Sequence, residues 1–160
     1  MSLFKSPSAR QVSIGLTVLR VILGATFIAH GAQKLFVFGF AGVTGGFTQM
    51  GIPMPGFFGP FVSFVEFFGG IAILLGLLTR LAGLGLAINM VVAMLTVHLK
   101  AGFFNPGGVE FPLALFGIAS ALTITGAGAF SIDALLGKRT SKHAIAAATG
   151  RESAPSRKAA

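Results

Sequence analysis

Four stretches of this chain are each long and apolar enough to cross a lipid bilayer, and no other feature narrows its fold as far. They run from about Val12 to Lys34, Phe57 to Leu78, Leu81 to Leu99 and Val109 to Thr125. A crossing helix needs ~20 residues, with a lower limit near 17, so the last stretch sits at that limit. Its start is marked by Asn105-Pro106-Gly107-Gly108, with Pro112 in the first turn. Only 10% of the 160 residues are charged and 54% are apolar, and the mean hydropathy is +0.87. Soluble domains carry roughly a quarter charged residues and disordered chains need low hydrophobicity, so neither class fits. The prediction is an all-α fold: a transmembrane four-helix bundle with short interfacial helices. The first stretch is not expected to be a cleaved signal peptide. It is too long for a signal h-region, Arg20 interrupts it, and no small-x-small site follows clearly.

The links divide the chain further. Thr79-Arg80 is almost all that separates the second and third stretches, which predicts a tight antiparallel hairpin. In the longer link, residues 35–56, Val43, Phe47 and Met50 fall at i, i+4 and i+7, the spacing of a short amphipathic helix at the membrane surface. Ser131 is placed to N-cap another short helix, with Asp133 in its first turn and Gly137 at its end. The expected organisation is a cytoplasmic N-terminal segment 1–11, a bundle 12–137 and a basic, disordered cytoplasmic tail 138–160.

The net charge of +8 is concentrated at the ends. Lys5, Arg10 and six tail cations lie outside the apolar region, against one acid, Glu152. Basic ends on a nearly neutral apolar body read as membrane orientation signals and not as a nucleic-acid face. With the N-terminus inside, inner segments hold nine of the twelve cations and outer segments hold only Lys34 and Lys100. Both termini are therefore expected in the cytoplasm.

Ionisable groups inside hydrocarbon cost a few kcal/mol each and are functional suspects. At 1.5 Å per residue, Arg20 and Asn89 lie ~12 Å from the inner edge and Glu66 ~14 Å from the outer edge. They share a layer. It reads either as a buried Arg20–Glu66 pair tied to Asn89 that fixes helix packing, or as the polar floor of a ligand cavity with a proton-accepting carboxylate. A second layer lies near the outer face: His30 and His98 at ~27 and ~26 Å from the inner edge, with Lys34, Lys100, Asn105 and Glu110. These residues suit either snorkelling to headgroups or a site for an amphipathic or anionic headgroup. A haem held by His30 and His98 is disfavoured, because two histidines alone are a weak signal. No metal site is predicted, since zinc and di-iron sites need three or four ligands at spacings absent here. There is no cysteine, which removes thiolate nucleophiles, disulfide relays and Cys-held clusters.

Small residues mark where helices meet. Glu66, Gly69, Gly70, Ile73 and Gly76 lie roughly on one side of the second stretch, and Glu110, Ala114, Gly117 and Ala121 form a seam on the fourth. Both seams are expected to face the bundle and to turn Glu66 and Glu110 inward.

The order of these features is similar to that of a known family. His30-Gly31-x-x-Lys34 closes the first stretch, Glu66-x-x-Gly69-Gly70 lies in the second, Leu78-Thr79-Arg80 forms the turn, and His98 precedes Gly107-Gly108-Val109-Glu110 with Pro112 after it. Over about residues 13–137 the chain resembles the DoxX family of small four-helix bacterial membrane proteins. The resemblance implies a multi-pass protein of the bacterial inner membrane with oxidoreductase-linked associations, some relatives being subunits of a quinone-reducing thiosulfate oxidoreductase. It suggests a quinone- or quinol-handling subunit of a membrane redox complex. His30, Lys34, His98 and Glu110 would be the ligand contacts, and Glu66 would hold or pass a proton. Electrons would come from a redox partner subunit or a diffusible substrate. The alternatives are a non-enzymatic scaffold or stress-response membrane protein and a small-solute transporter, the latter requiring a homo-oligomer.

Overall fold

The computed structural model describes residues 6–138; the basic tail beyond Lys138 and the first five residues lie outside it. Helix α1 spans Ala9–Ala32. Ser8 caps it, accepting from the Gln11 amide while the Gln11 side chain accepts from the Ser8 amide. The chain stays helical beyond Lys34: a π-helical segment, Gln33–Phe38, leads into α2, Gly39–Gln49. The link expected between the first two stretches is thus mostly helix, and Ala9–Gln49 forms one 41-residue run. Its bend lies at Gly39, whose φ of 64° is open to glycine at little steric cost.

Helix α3 covers Pro55–Leu75 and α4 covers Thr79–Ala93, continued by a second π segment, Met94–His98, and a short 3-10 turn, Leu99–Ala101. Helix α5 covers Glu110–Thr125, and residues 132–138 are helical. Leu78, with φ 47°, joins α3 to α4 in a left-handed conformation unusual for a leucine. The hairpin turn is therefore Gly76–Leu78, slightly earlier than the expected Thr79-Arg80, and Thr79 opens α4. Ser131 caps the last segment, its hydroxyl accepting from the Ala134 amide at 3.1 Å. The helix continues through Gly137, which does not terminate it.

The helices form two antiparallel pairs, α1 on α3 and α4 on α5. The first pair meets where side chains are absent. A Cβ on Gly24 would sit 2.8 Å from the Gly70 carbonyl oxygen, and one on Gly31 would sit 2.4 Å from the Phe67 amide nitrogen. This close approach follows the small-residue logic expected for the second stretch. In the second pair, Gly83 lies against Ala119 and Thr123. The fourth stretch departs from expectation. Its buried stripe is Pro112, Leu115, Ala119 and Leu122, while Ala114 and Gly117 are exposed. Larger side chains fill the interior there, and the small-residue seam faces out.

Leu23, Phe27, Ile73, Leu86, Leu115 and Leu122 make the core between the pairs. Large apolar side chains also cover the outside, with Phe36 and Phe104 75% exposed and Ile124 74%. Meanwhile Arg20, Ser63, Glu66 and Thr79 are buried. Apolar groups outside and polar groups inside is the arrangement of helices solvated by lipid. The molecule is an all-helical membrane bundle.

Candidate ligand cavity between the helices

A cavity of about 470 Å³ lies among all four bundle helices and the α2–α3 link. Its walls are mostly apolar: Phe27 from α1, Phe47 and Met50 from the α2 end, Phe58 and Val62 from α3, Met90 from α4, Phe111 and Leu115 from α5. Five polar side chains predicted from sequence also line it: His30, Lys34, Glu66, Asn89 and His98. Members of both layers inferred from depth thus line one space, and Arg20, Lys100, Asn105 and Glu110 do not.

Glu66 is the centre of the polar group. Lys34 Nζ donates to its Oε2 and forms an ion pair with it, and the Asn89 amide donates to Oε1 at 3.0 Å. Both carboxylate oxygens are therefore occupied. The Glu66 side chain is 5% exposed and that of Lys34 23%, so the lysine is the more accessible member, and both line the cavity. The expected Arg20–Glu66 pair does not form. Its failure has a geometric cause. Helical side chains lean toward their own N-terminus. Gly31 of α1 packs on Phe67, but Arg20 packs on Gly76, ten residues past Glu66 on α3. Arg20 therefore stands ~15 Å from the Glu66 level and leans further away, whereas Lys34, further along the same helical run, leans inward. Glu66, on the antiparallel α3, leans toward the end where Lys34 lies. Lys34 replaces Arg20 as the counter-charge.

The histidines flank this cluster toward the loop end. His30 stacks at a tilt against Phe111, with ring centroids 6.2 Å apart, which joins α1 to α5. His98 Nδ1 lies 2.7 Å from the Gly107 carbonyl oxygen. A carbonyl only accepts, so Nδ1 carries the proton, which in the uncharged ring leaves Nε2 as an acceptor. Lys34 and His98 both lie in π-helical segments. Such segments shift the side chains that follow relative to an α-helix and are frequent at functional sites. Sequence reading did not find them, because the π register leaves no periodic mark over five or six residues.

Residues 15–99 match the DoxX family, and residues 58–149 match the family described as TQO small subunit DoxD. The chain belongs to the DoxX family. Relatives include "Putative oxidoreductase CatD" of Bacillus subtilis (strain 168), 34% identical over 78% of this chain and 88% of that protein. "Inner membrane protein YqjF" of Escherichia coli (strain K12) is 38% identical over 79% and 95%. "Uncharacterized membrane protein Rv3486" of Mycobacterium tuberculosis (strain ATCC 25618 / H37Rv) is 34% identical over 76% and 80%. No solved structure matches the chain.

The remaining candidates of this DoxX-family chain stay off the cavity wall. Arg20, 3% exposed, donates through Nη2 to the Phe130 carbonyl at 2.7 Å and packs so closely on Gly76 that a Cβ there would lie 1.9 Å from Nη1. Asp133 completes this corner. Its two carboxylate oxygens accept from the Leu78 and Thr79 amides at 2.8 and 2.9 Å, capping the N-terminus of α4 from a distant part of the chain. Burial works to raise the Asp133 pKa, but the Thr79 and Leu78 hydrogen bonds and the Arg20 charge outweigh it and hold the carboxyl below its ordinary range. Sequence reading placed Asp133 in its own helix and missed this capping role, because nothing local links it to the turn it caps. Glu110 ties the loop before α5, its Oε1 accepting from the Asn105 amide at 2.7 Å, and it does not line the cavity. Lys100 is exposed.

Proposed function

We propose that the cavity binds a quinone or quinol and that this DoxX-family protein serves a membrane oxidoreductase complex as its quinone-handling subunit. The observation that carries the reading is the Lys34–Glu66–Asn89 cluster set in an otherwise apolar cavity. The cluster is neutral in sum, which favours a neutral ligand with few polar atoms over a free ion. A carbonyl oxygen accepts from Lys34 or from the free Asn89 N–H, and a hydroxyl donates to Glu66 or to His98 Nε2. The phenylalanine walls suit a flat ring. Glu66, ion-paired and facing the ligand, is placed to take up or supply the proton that accompanies quinone chemistry.

The family description "TQO small subunit DoxD" and the name of the CatD relative support the link to redox complexes. Electrons arrive from a partner subunit or a diffusible substrate. In this reading the four helices cross the bacterial inner membrane with both termini in the cytoplasm. The segment 1–11 and the tail from 138 flank the bundle on that side, where the bias of cations places them.

The test is purification in mild detergent, extraction and mass spectrometry, followed by calorimetric titration with added quinone. The chain has no Trp or Tyr, so calorimetry replaces intrinsic fluorescence. A bound isoprenoid quinone, with affinity lost in Lys34→Met, is the expected result. A protein that carries none and binds none would leave the scaffold reading, in which the polar residues only hold helices together.

A further inference from the structure

A second hollow, of about 300 Å³, lies on the outer face of the bundle between α4 and α5. Leu84, Ile88 and Val92 line it from α4, and Phe116, Ser120 and Ile124 from α5. Its two hydroxyl side chains are Ser120 and Thr123, and Thr123 spends its hydroxyl on the Ala119 carbonyl at 2.8 Å, so the groove is mostly apolar. Leu84, Ile88, Val92 and Ile124 are all exposed, which places the groove against acyl chains when the bundle is in a membrane. Val92 lines both this groove and the ligand cavity. From Val92 to Leu84 the groove follows eight residues of helix, ~12 Å.

We propose that the α4–α5 groove holds the tail of the same ligand whose head group occupies the cavity, with Val92 as the sill between them. The inference rests on the quinone reading of the cavity and narrows it to a long-tailed isoprenoid quinone. Size is the first argument. A cavity of about 470 Å³ is toward the small end of ligand pockets, which run from ~300 to ~1,000 Å³, and it suits a ring and the start of a chain. A long tail has to leave it. Adjacency is the second argument. The groove and the cavity share the Val92 side chain, and beyond it the groove is lined by apolar side chains apart from Ser120 and Thr123. The arrangement fixes orientation as well: the head lies at the Glu66 level, and the tail runs along α4 toward the hairpin turn at Gly76–Leu78.

The experiment compares a tail-less benzoquinone with a long-chain isoprenoid quinone on protein in nanodiscs, by calorimetry. Wild type is set beside Ser120→Phe and Ser120→Ala. Ser120 lines the groove and not the cavity. Filling the groove in Ser120→Phe should lower affinity for the long-chain quinone by about tenfold or more. It should leave the tail-less compound within about twofold, and Ser120→Ala should bind both as wild type does. Ile124→Phe, at the exposed far end, repeats the test if the first variant does not fold. Equal effects on both ligands, or none on either, overturn the groove assignment while leaving the cavity reading in place. A groove filled by bulk lipid gives the second of these outcomes. Disulfide-linked dimers formed efficiently through a single Ile124→Cys would assign the face to a second copy and overturn the proposal. Wild type that binds neither quinone removes the cavity reading, and this one with it.

Discussion

Replacing Lys34 with Met should destabilise the bundle more than replacing Glu66 with Gln, although the two residues form one pair. Breaking a buried ion pair from one side costs about 3–5 kcal/mol, and a lone charge at a helix centre in the bilayer about 2.5–3.5 kcal/mol. Lys34→Met leaves the Glu66 carboxylate, 5% exposed, with only the Asn89 amide. It should cost about 3 kcal/mol. Glu66→Gln leaves a lysine whose side chain is 23% exposed and whose flexible stem can swing its ammonium group to water in the cavity. The substituted amide also keeps an acceptor for Asn89, so this change should cost about 1–2 kcal/mol. The double variant strands no charge, and its cost should be only about 2 kcal/mol, a coupling of ~2–3 kcal/mol. Thermal unfolding in detergent, followed by light scattering, reads these differences. At ~2–4 °C per kcal/mol, Lys34→Met should melt roughly 6–12 °C early. Equal single effects, or costs that add within about 0.5 kcal/mol, would refute the burial argument.

Three other outcomes follow from the same geometry. Asp133→Ala should cost about 1 kcal/mol by removing the cap of α4. The native Asp133 pKa lies below its unfolded value, so this stabilisation is present above the unfolded pKa and is lost as pH falls through the folded one. Melting curves of wild type and variant should therefore converge at acid pH and stay apart near neutrality. Gly70→Leu should push α1 from α3, since even its Cβ would lie 2.7 Å from the Ile28 amide nitrogen. A loss of about 1–3 kcal/mol is expected, whereas Gly117→Ala, with open space around it, should be neutral or stabilising by up to ~1 kcal/mol. Because the chain lacks cysteine, single-cysteine variants report topology cleanly. Phe104→Cys should react with a membrane-impermeant maleimide on intact spheroplasts and Ser141→Cys only after permeabilisation. The reverse pattern would overturn the orientation.

Much of the bundle was legible from the chain because lipid imposes a length and a composition on each crossing. The apolar stretches located α1, α3, α4 and α5, and of the expected seam Gly70 lies where α1 comes close while Gly69 faces Leu86 of α4. The seam on α5 misled, because small residues at helical spacing do not say which side of a helix is buried when both sides are apolar. Depth counting placed His30, Lys34 and His98 in one layer and Glu66 and Asn89 in another, and all five line one cavity; it also set Arg20 level with Glu66, whereas Arg20 packs on Gly76. Their pairing was not legible. Depth counted from the ends of each stretch does not give the register of one helix on the next, which sets Gly31 against Phe67 and Arg20 against Gly76.

The sequence by itself determined that this is a helical membrane protein of the DoxX type, how many apolar helices it has, and which ionisable residues stand among them. Solvation sets those features one helix at a time. Only the tertiary structure decided that Lys34, and not Arg20, neutralises Glu66, that Asp133 caps a helix begun more than fifty residues earlier, and that a groove meets the cavity at Val92. Those outcomes depend on the lean of side chains on antiparallel helices and on which faces come together, and both are properties of pairs of helices.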